Sequence, residues 1–212
     1  MRIHLTLILL LLLCLPGAVR ADEPAASDGC QPEFRALYDN AVVEFKGVGT
    51  RDVVVVTDPL CWHCRLAHKL LGEYPELYRT VRVSFFSRRS FIGSDMAAWL
   101  LEDQAGGDAL KVLLDFAYRD LKQPKTRDLA EARMIVLIQF TDAFPWLLKG
   151  TTLPELYTRL QRDHEAHVQK SADLAKAVHF PGTPVLIADS VILVGYAPDP
   201  WLKALKEAPV CK

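Results

Sequence analysis

Four consecutive valines, Val53 to Val56, lead through Thr57-Asp58-Pro59-Leu60 into Cys61-Trp62-His63-Cys64, and from there the apolar spacing turns helical. A β-branched run of that length predicts a short buried strand, which Asp58-Pro59 ends. Leu66, Leu70 and Leu71 then fall on one side of a helix that Pro75 stops. Val81, Val83 and Phe85 alternate with Arg82, Ser84 and Phe86, which predicts a second strand. Strand, helix and strand in this order make a βαβ unit. Two cysteines separated by two residues therefore stand where a helix begins directly behind a buried strand.

The rest of the chain is organised around that unit. Val42 to Phe45 predicts a further strand before the Gly47-Val48-Gly49 turn, and residues 22–41 read as a lead segment. Residues 94–178 read as helical, divided by Gly106-Gly107, Pro124, Pro145 and Gly150-Thr151. Ser94-Asp95 and Asp108 are the expected N-caps there. Trp99, Leu100, Leu110, Leu113, Leu114, Phe116 and Tyr118 recur at helical spacing and are expected in the core. Val185 to Ala188 and Val191 to Val194 predict two strands joined at Asp189-Ser190. Residues 198–207 predict a closing helix with Trp201, Leu202 and Leu205 facing inward. The expected class is α/β: a βαβ half and a ββα half in one domain over residues 42–212, with a helical insertion over about 94–178.

The N-terminus points to export. Arg2 and His4 precede an almost unbroken apolar run from Leu5 to Leu15, broken by Pro16-Gly17 and followed by Val19-Arg20-Ala21. That is the order of a secretory signal peptide, residues 1–21, and the run is short of the roughly twenty residues a spanning helix needs. The leucines before Cys14 are too bulky for a lipid-attachment site. Cleavage also removes two arginines, so the mature chain is slightly more acidic than the formal net charge of −1. No basic block suggests nucleic acid, and Arg88-Arg89 reads as a solvated pair. Of the five cysteines, Cys30, Cys61, Cys64 and Cys211 remain. An even count after an export signal favours disulfides. With Cys61 and Cys64 taken as one pair, Cys30 and Cys211 are expected to form a structural disulfide. An intermolecular Cys211 bond is the competing arrangement.

A helix N-terminus carries partial positive charge and unpaired N–H groups, which favour a thiolate. Cys61 is thus the expected nucleophile and Cys64, one turn in, the resolving thiol. His63 is expected to add positive charge near the Cys61 sulfur, and Trp62 to offer an apolar surface for substrate. No cofactor or bound metal is required for this chemistry. Half of a zinc site lacks its partner cysteines, and a c-type haem site needs His where Arg65 stands. A Cu(I)-handling or chaperone module, with Cys61, Cys64 and His68 as ligands, is the alternative.

Residues 57–64 followed by His68, together with Gly182-Thr183-Pro184-Val185 and Gly195-Tyr196, resemble the bacterial periplasmic Dsb thiol–disulfide oxidoreductases. The match is nearest to the catalytic domains of the isomerases DsbC and DsbG, with DsbA-like features, and covers most of residues 42–104 and 172–208. The resemblance implies a thioredoxin fold with a helical insertion and a cis Thr183–Pro184 bond against the cysteine pair. It implies too that Thr183 and Pro184 present backbone groups to a substrate strand. The expected partners are exported cysteine-containing proteins and a membrane redox partner of the DsbB or DsbD type. Two features depart from the pattern. The stretch between Ala21 and the first strand is too short for the isomerases' dimerisation domain. The acid found six residues before the nucleophile in thioredoxin and DsbA is Val55 here, so proton transfer falls to another group, with Glu44 a candidate, or to water.

Overall fold

The computed structural model describes residues 28–211; the signal segment and the first part of the lead lie outside them. The elements are α1 (Pro32–Asn40), β1 (Val43–Lys46), β2 (Asp52–Thr57), α2 (Trp62–Glu73), β3 (Thr80–Phe85), α3 (Ser94–Asp103), α4 (Leu110–Arg119), α5 (Leu129–Ala143), α6 (Leu153–Ala177), β4 (Val185–Ala188), β5 (Val191–Val194) and α7 (Pro198–Glu207). The sheet runs β1-β3-β2-β4-β5. β2 and β3 are parallel, and every other pairing is antiparallel.

The valine run reads as unbroken because β2 lies at the centre of the sheet and is covered on both faces. Val53 and Val55 pack with Ala67, Leu70 and Leu71 of α2 and with Trp201 and Leu205 of α7. Val54 and Val56 point the other way, onto Phe34 and Leu37 of α1 and Ala172 and Ala175 of α6. Helix α6 thus both closes the insertion and covers the sheet. The stretch from Pro32, which has no clear periodicity, is a helix because the sheet supplies a surface for its two buried apolar residues, Phe34 and Leu37.

The insertion has its own core, in which Trp99, Leu100, Leu113, Leu114 and Tyr118 pack with Phe140 and Leu160. Phe116 is only partly buried against it. Two expected caps are corrected. Helix α3 follows Gly93, whose φ is 88°, and the Ser94 hydroxyl is turned inward to Asp58 at 3.0 Å. Ala109, not Asp108, occupies the cap position of α4. The side-chain caps are Asp128, accepting from the Glu131 N–H, and the reciprocal Thr152–Glu155 box at the start of α6.

Candidate active site

Asp58, Pro59 and Leu60 turn the chain from the end of β2 into α2, with the Cys61 N–H donating to the Asp58 carbonyl at 3.0 Å. Cys61 occupies the N-cap position of α2, and no acidic residue follows in the first turn. The helix terminus is therefore free to act on the sulfur. Cys61 and Cys64 are both buried free thiols. Trp62 between them is 66% exposed, and His63 is exposed as well. The Cys64 sulfur receives the Asp58 N–H at 3.4 Å.

The loop before β4 arrives from the opposite side. Its Thr183–Pro184 bond is cis, as the resemblance implied, and the Thr183 carbonyl lies 3.6 Å from the Cys61 sulfur. The Thr183 hydroxyl is buried with no partner among the described residues, so it is available to the sulfurs.

These contacts divide the two thiols. Cys61 is lowered to about 5, chiefly by the Cys64 thiol, helped against the cost of burial by the Cys64 N–H, the Thr183 side chain and the His63 N–H. What reaches Cys61 from His63 is the main chain, not the imidazole on which the sequence reading relied. Burial, then the neighbouring Cys61, pushes Cys64 far above the ordinary thiol range. The two shifts run in the directions that favour a thiolate at Cys61 and a proton on Cys64.

One residue beside the pair carried no functional expectation. Asp58, read from the sequence as a strand breaker, is completely buried. Its carboxyl accepts from the Leu60 N–H at 2.9 Å, the Arg88 N–H at 3.1 Å and the Ser94 hydroxyl at 3.0 Å. Burial outweighs these three bonds and pushes it up to about 7, with the Cys61 charge adding to the shift. Its only sequence signal is an acid placed directly after a four-valine strand. Glu44 of β1 is instead paired with its neighbour Lys46 and with Arg82 of β3.

His68 is less exposed than a half-solvated helix residue. Its ring stacks on Tyr118 at 4.7 Å between centroids, and Nε2 faces Asp115 at 3.2 Å. Burial lowers its pKa against the pull of Asp115. The Tyr118 hydroxyl in turn donates to the Thr57 hydroxyl at 3.1 Å, beneath the cysteine pair. His68 is thus directed at Asp115, and among the described residues no group of three or more His, Cys, Asp or Glu is placed to hold a metal ion. Cys30 and Cys211 lie at the far end of the sheet, joined to each other within the chain across a sequence separation of 181. The two ends of the described residues reach them over the β4–β5 turn, where the Gly29 N–H meets the Ser190 carbonyl and the Ser190 N–H meets the Pro209 carbonyl.

No family model and no curated protein matches the sequence. Solved structures do match. A thioredoxin-like oxidoreductase from Silicibacter pomeroyi is 18% identical, with 80% of this chain and 94% of that one covered and a TM-score of 0.57. Proteus mirabilis ScsC in a transitional conformation is 20% identical, with 82% and 75% covered and a TM-score of 0.62. Oxidised BdbD from Bacillus subtilis is 19% identical, with 79% and 91% covered and a TM-score of 0.56. With its cysteine pair opening α2 and a cis-proline loop against it, this chain has the thioredoxin-like fold shared by these Dsb-type proteins.

Proposed function

We propose that this protein is an exported thiol–disulfide oxidoreductase that passes its Cys61–Cys64 disulfide to cysteines of other exported proteins. The observation that carries the reading is the division of the pair, with Cys61 held low at about 5 at the helix terminus and Cys64 held protonated behind it. At pH 7 a thiol of ordinary value 9.0 is almost wholly protonated, so a thiolate titrating near 5 stabilises the reduced pair by about two tenfold steps and makes the couple more oxidising by about 60 mV, at about 30 mV for each tenfold. That favours donation of a disulfide over reduction.

In the forward step a substrate thiolate attacks the Cys61 sulfur and the Cys61–Cys64 bond breaks. Cys64 leaves and takes up a proton, for which Asp58 is the nearby reservoir. A second substrate thiolate then attacks the substrate sulfur of the mixed disulfide, and Cys61 leaves as a stable thiolate. Two electrons have moved from substrate to protein. Thr183 and Pro184 align the substrate strand, and Trp62 offers it an apolar surface.

The signal-peptide pattern of residues 1–21 supports export to the periplasm, and the Cys30–Cys211 bond suits an oxidising compartment. A matching structure from Salmonella enterica is described as a periplasmic thioredoxin-like protein. Reoxidation by a membrane partner of the DsbB type follows from the same reading, with a DsbD-type partner expected for a reductase or an isomerase, either of which must be kept reduced. The copper-handling alternative has less support, because among the described residues no group of three or more His, Cys, Asp or Glu is placed to hold a metal ion.

The test uses a reduced dithiol peptide. Cys61→Ser is expected to abolish its oxidation, and Cys64→Ser, which cannot form the internal disulfide, to lose catalytic oxidation but, when reduced, to capture an oxidised peptide as a Cys61 mixed disulfide that no Cys64 thiol resolves. Equal partial losses in both variants would remove the assigned roles.

A further inference from the structure

The two loops that border the cysteine pair carry a concentration of cations that the chain's near-neutral charge does not suggest. Residues 86–93 supply Arg88 and Arg89, and residues 120–128 supply Lys122, Lys125 and Arg127, all exposed. Among the described residues none of these five has a carboxylate in an ion pair, whereas most other arginines do. Of the nearby acids, Asp142 shares a surface hollow with Lys122 and Lys125 without pairing to either, and the others are occupied locally. Asp120 pairs with Arg119, Asp128 caps α5, and Glu131 takes the Thr126 hydroxyl.

The loops are held in place beside the site. The Arg88 N–H is bonded to Asp58. Its guanidinium packs so closely on Gly182, next to Thr183, that a Cβ at Gly182 would come within 2.6 Å of it. Gln123 donates to the Ser90 carbonyl at 3.1 Å, joining one loop to the other. The Lys122 main chain is fixed at both ends by the Gln139 amide. Arg65, from the first turns of α2, donates to the Leu121 carbonyl and lies within electrostatic reach of Cys61. Five unpaired cations are thus presented on a braced rim rather than on free loops.

We propose that this rim is a docking surface for acidic segments, so that the preferred substrates are exported proteins whose reacting cysteine is flanked by aspartate or glutamate. The proposal rests on the exchange reading above and names its substrate class. An extended substrate crossing Cys61 along the Thr183–Pro184 loop passes Arg88 first, because Arg88 packs on that loop. Rim charges act mainly on the association rate and lose their effect in salt. Trp62, exposed on the helix side, gives the same strand an apolar contact that salt does not weaken.

The experiment compares three reduced dithiol peptides, with glutamate, glycine or lysine flanking the cysteines, as substrates of the full-length oxidised protein. The glutamate peptide is expected to react about tenfold faster than the lysine peptide at low ionic strength, with the preference vanishing near 1 M salt. A charge-reversed variant, Arg89→Glu with Lys122→Glu and Lys125→Glu, is expected to invert the order. Oxidation of all three peptides at equal rates would overturn the rim while leaving the exchange chemistry standing. Failure with all three, the glycine peptide included, would overturn the exchange chemistry and the rim with it. Sedimentation with anionic phosphatidylglycerol vesicles, combined with no flank preference, would assign the cations to a lipid surface instead and also overturn the proposal.

Discussion

Replacing Asp58 with asparagine should change stability in opposite directions on the two sides of neutrality. Burial raises this carboxyl from 3.8 to about 7, a difference of about 4 kcal/mol at about 1.4 kcal/mol for each tenfold. An acid raised on folding binds more protons in the native state across that window, so stability falls as pH climbs from about 4 to 7 and then levels. Above neutrality the wild type carries a buried carboxylate that the asparagine does not. The asparagine has its own cost, because its Nδ2 cannot accept from the Arg88 N–H, and leaving that donor unpaired costs about 1–3 kcal/mol. That cost is the same at every pH. The expected result is an asparagine variant weaker than wild type near pH 4 and stronger by about 1–3 kcal/mol near pH 8. Urea unfolding at both pH values reads the difference directly. It is best done in a Cys61→Ser, Cys64→Ser background, where no thiol titrates. The change in the mutational effect between the two pH values should approach 4 kcal/mol. A change below about 1 kcal/mol would refute a carboxyl titrating in a closed site.

Two further outcomes follow from the geometry. Paired Cys30→Ser and Cys211→Ser substitutions should destabilise the protein without affecting peptide oxidation; the chain-entropy figure for so long a loop, about 5 kcal/mol, is an upper bound, because Cys211 lies at an exposed end, and denaturant unfolding measures the loss. His63→Ala should raise the Cys61 pKa less than Cys64→Ala does, since His63 acts through its N–H and Cys64 through both thiol and N–H; a larger effect of His63→Ala in an alkylation-rate titration would restore the imidazole to the mechanism.

The core of the fold was legible because it is written in local pattern. The valine run, the spacing after Cys61, the alternation at Val81–Phe85 and the β4–β5 hairpin each report one element and its buried face. Helix α1 was not, since Phe34 and Leu37 are its only buried apolar residues and they mean little until a sheet is beneath them. Caps were misread where a polar side chain had a distant use: Ser94 serves Asp58, thirty-six positions away in sequence, and leaves the helix start to Gly93. The cysteines were legible by spacing, but the residues that set their chemistry were not. Asp58 gains its raised pKa from burial that only the assembled loops create. Arg88 becomes part of the site only because the turn after β3 folds back onto Gly182. Val55 shows the converse, since the position where an acid was sought is simply core, and the acid lies three residues later.

The proposed direction of disulfide transfer depends most directly on the charge state of the reduced cysteine pair. A pH titration of ultraviolet thiolate absorbance, with the Cys61→Ser variant as reference, should give one step centred near pH 5 that disappears in the variant. No second step should accompany it through neutrality, because Cys64 stays protonated. Two thiols titrating together near the free-cysteine value of about 8.5 would contradict the division of the pair, and with it the proposed direction of disulfide transfer.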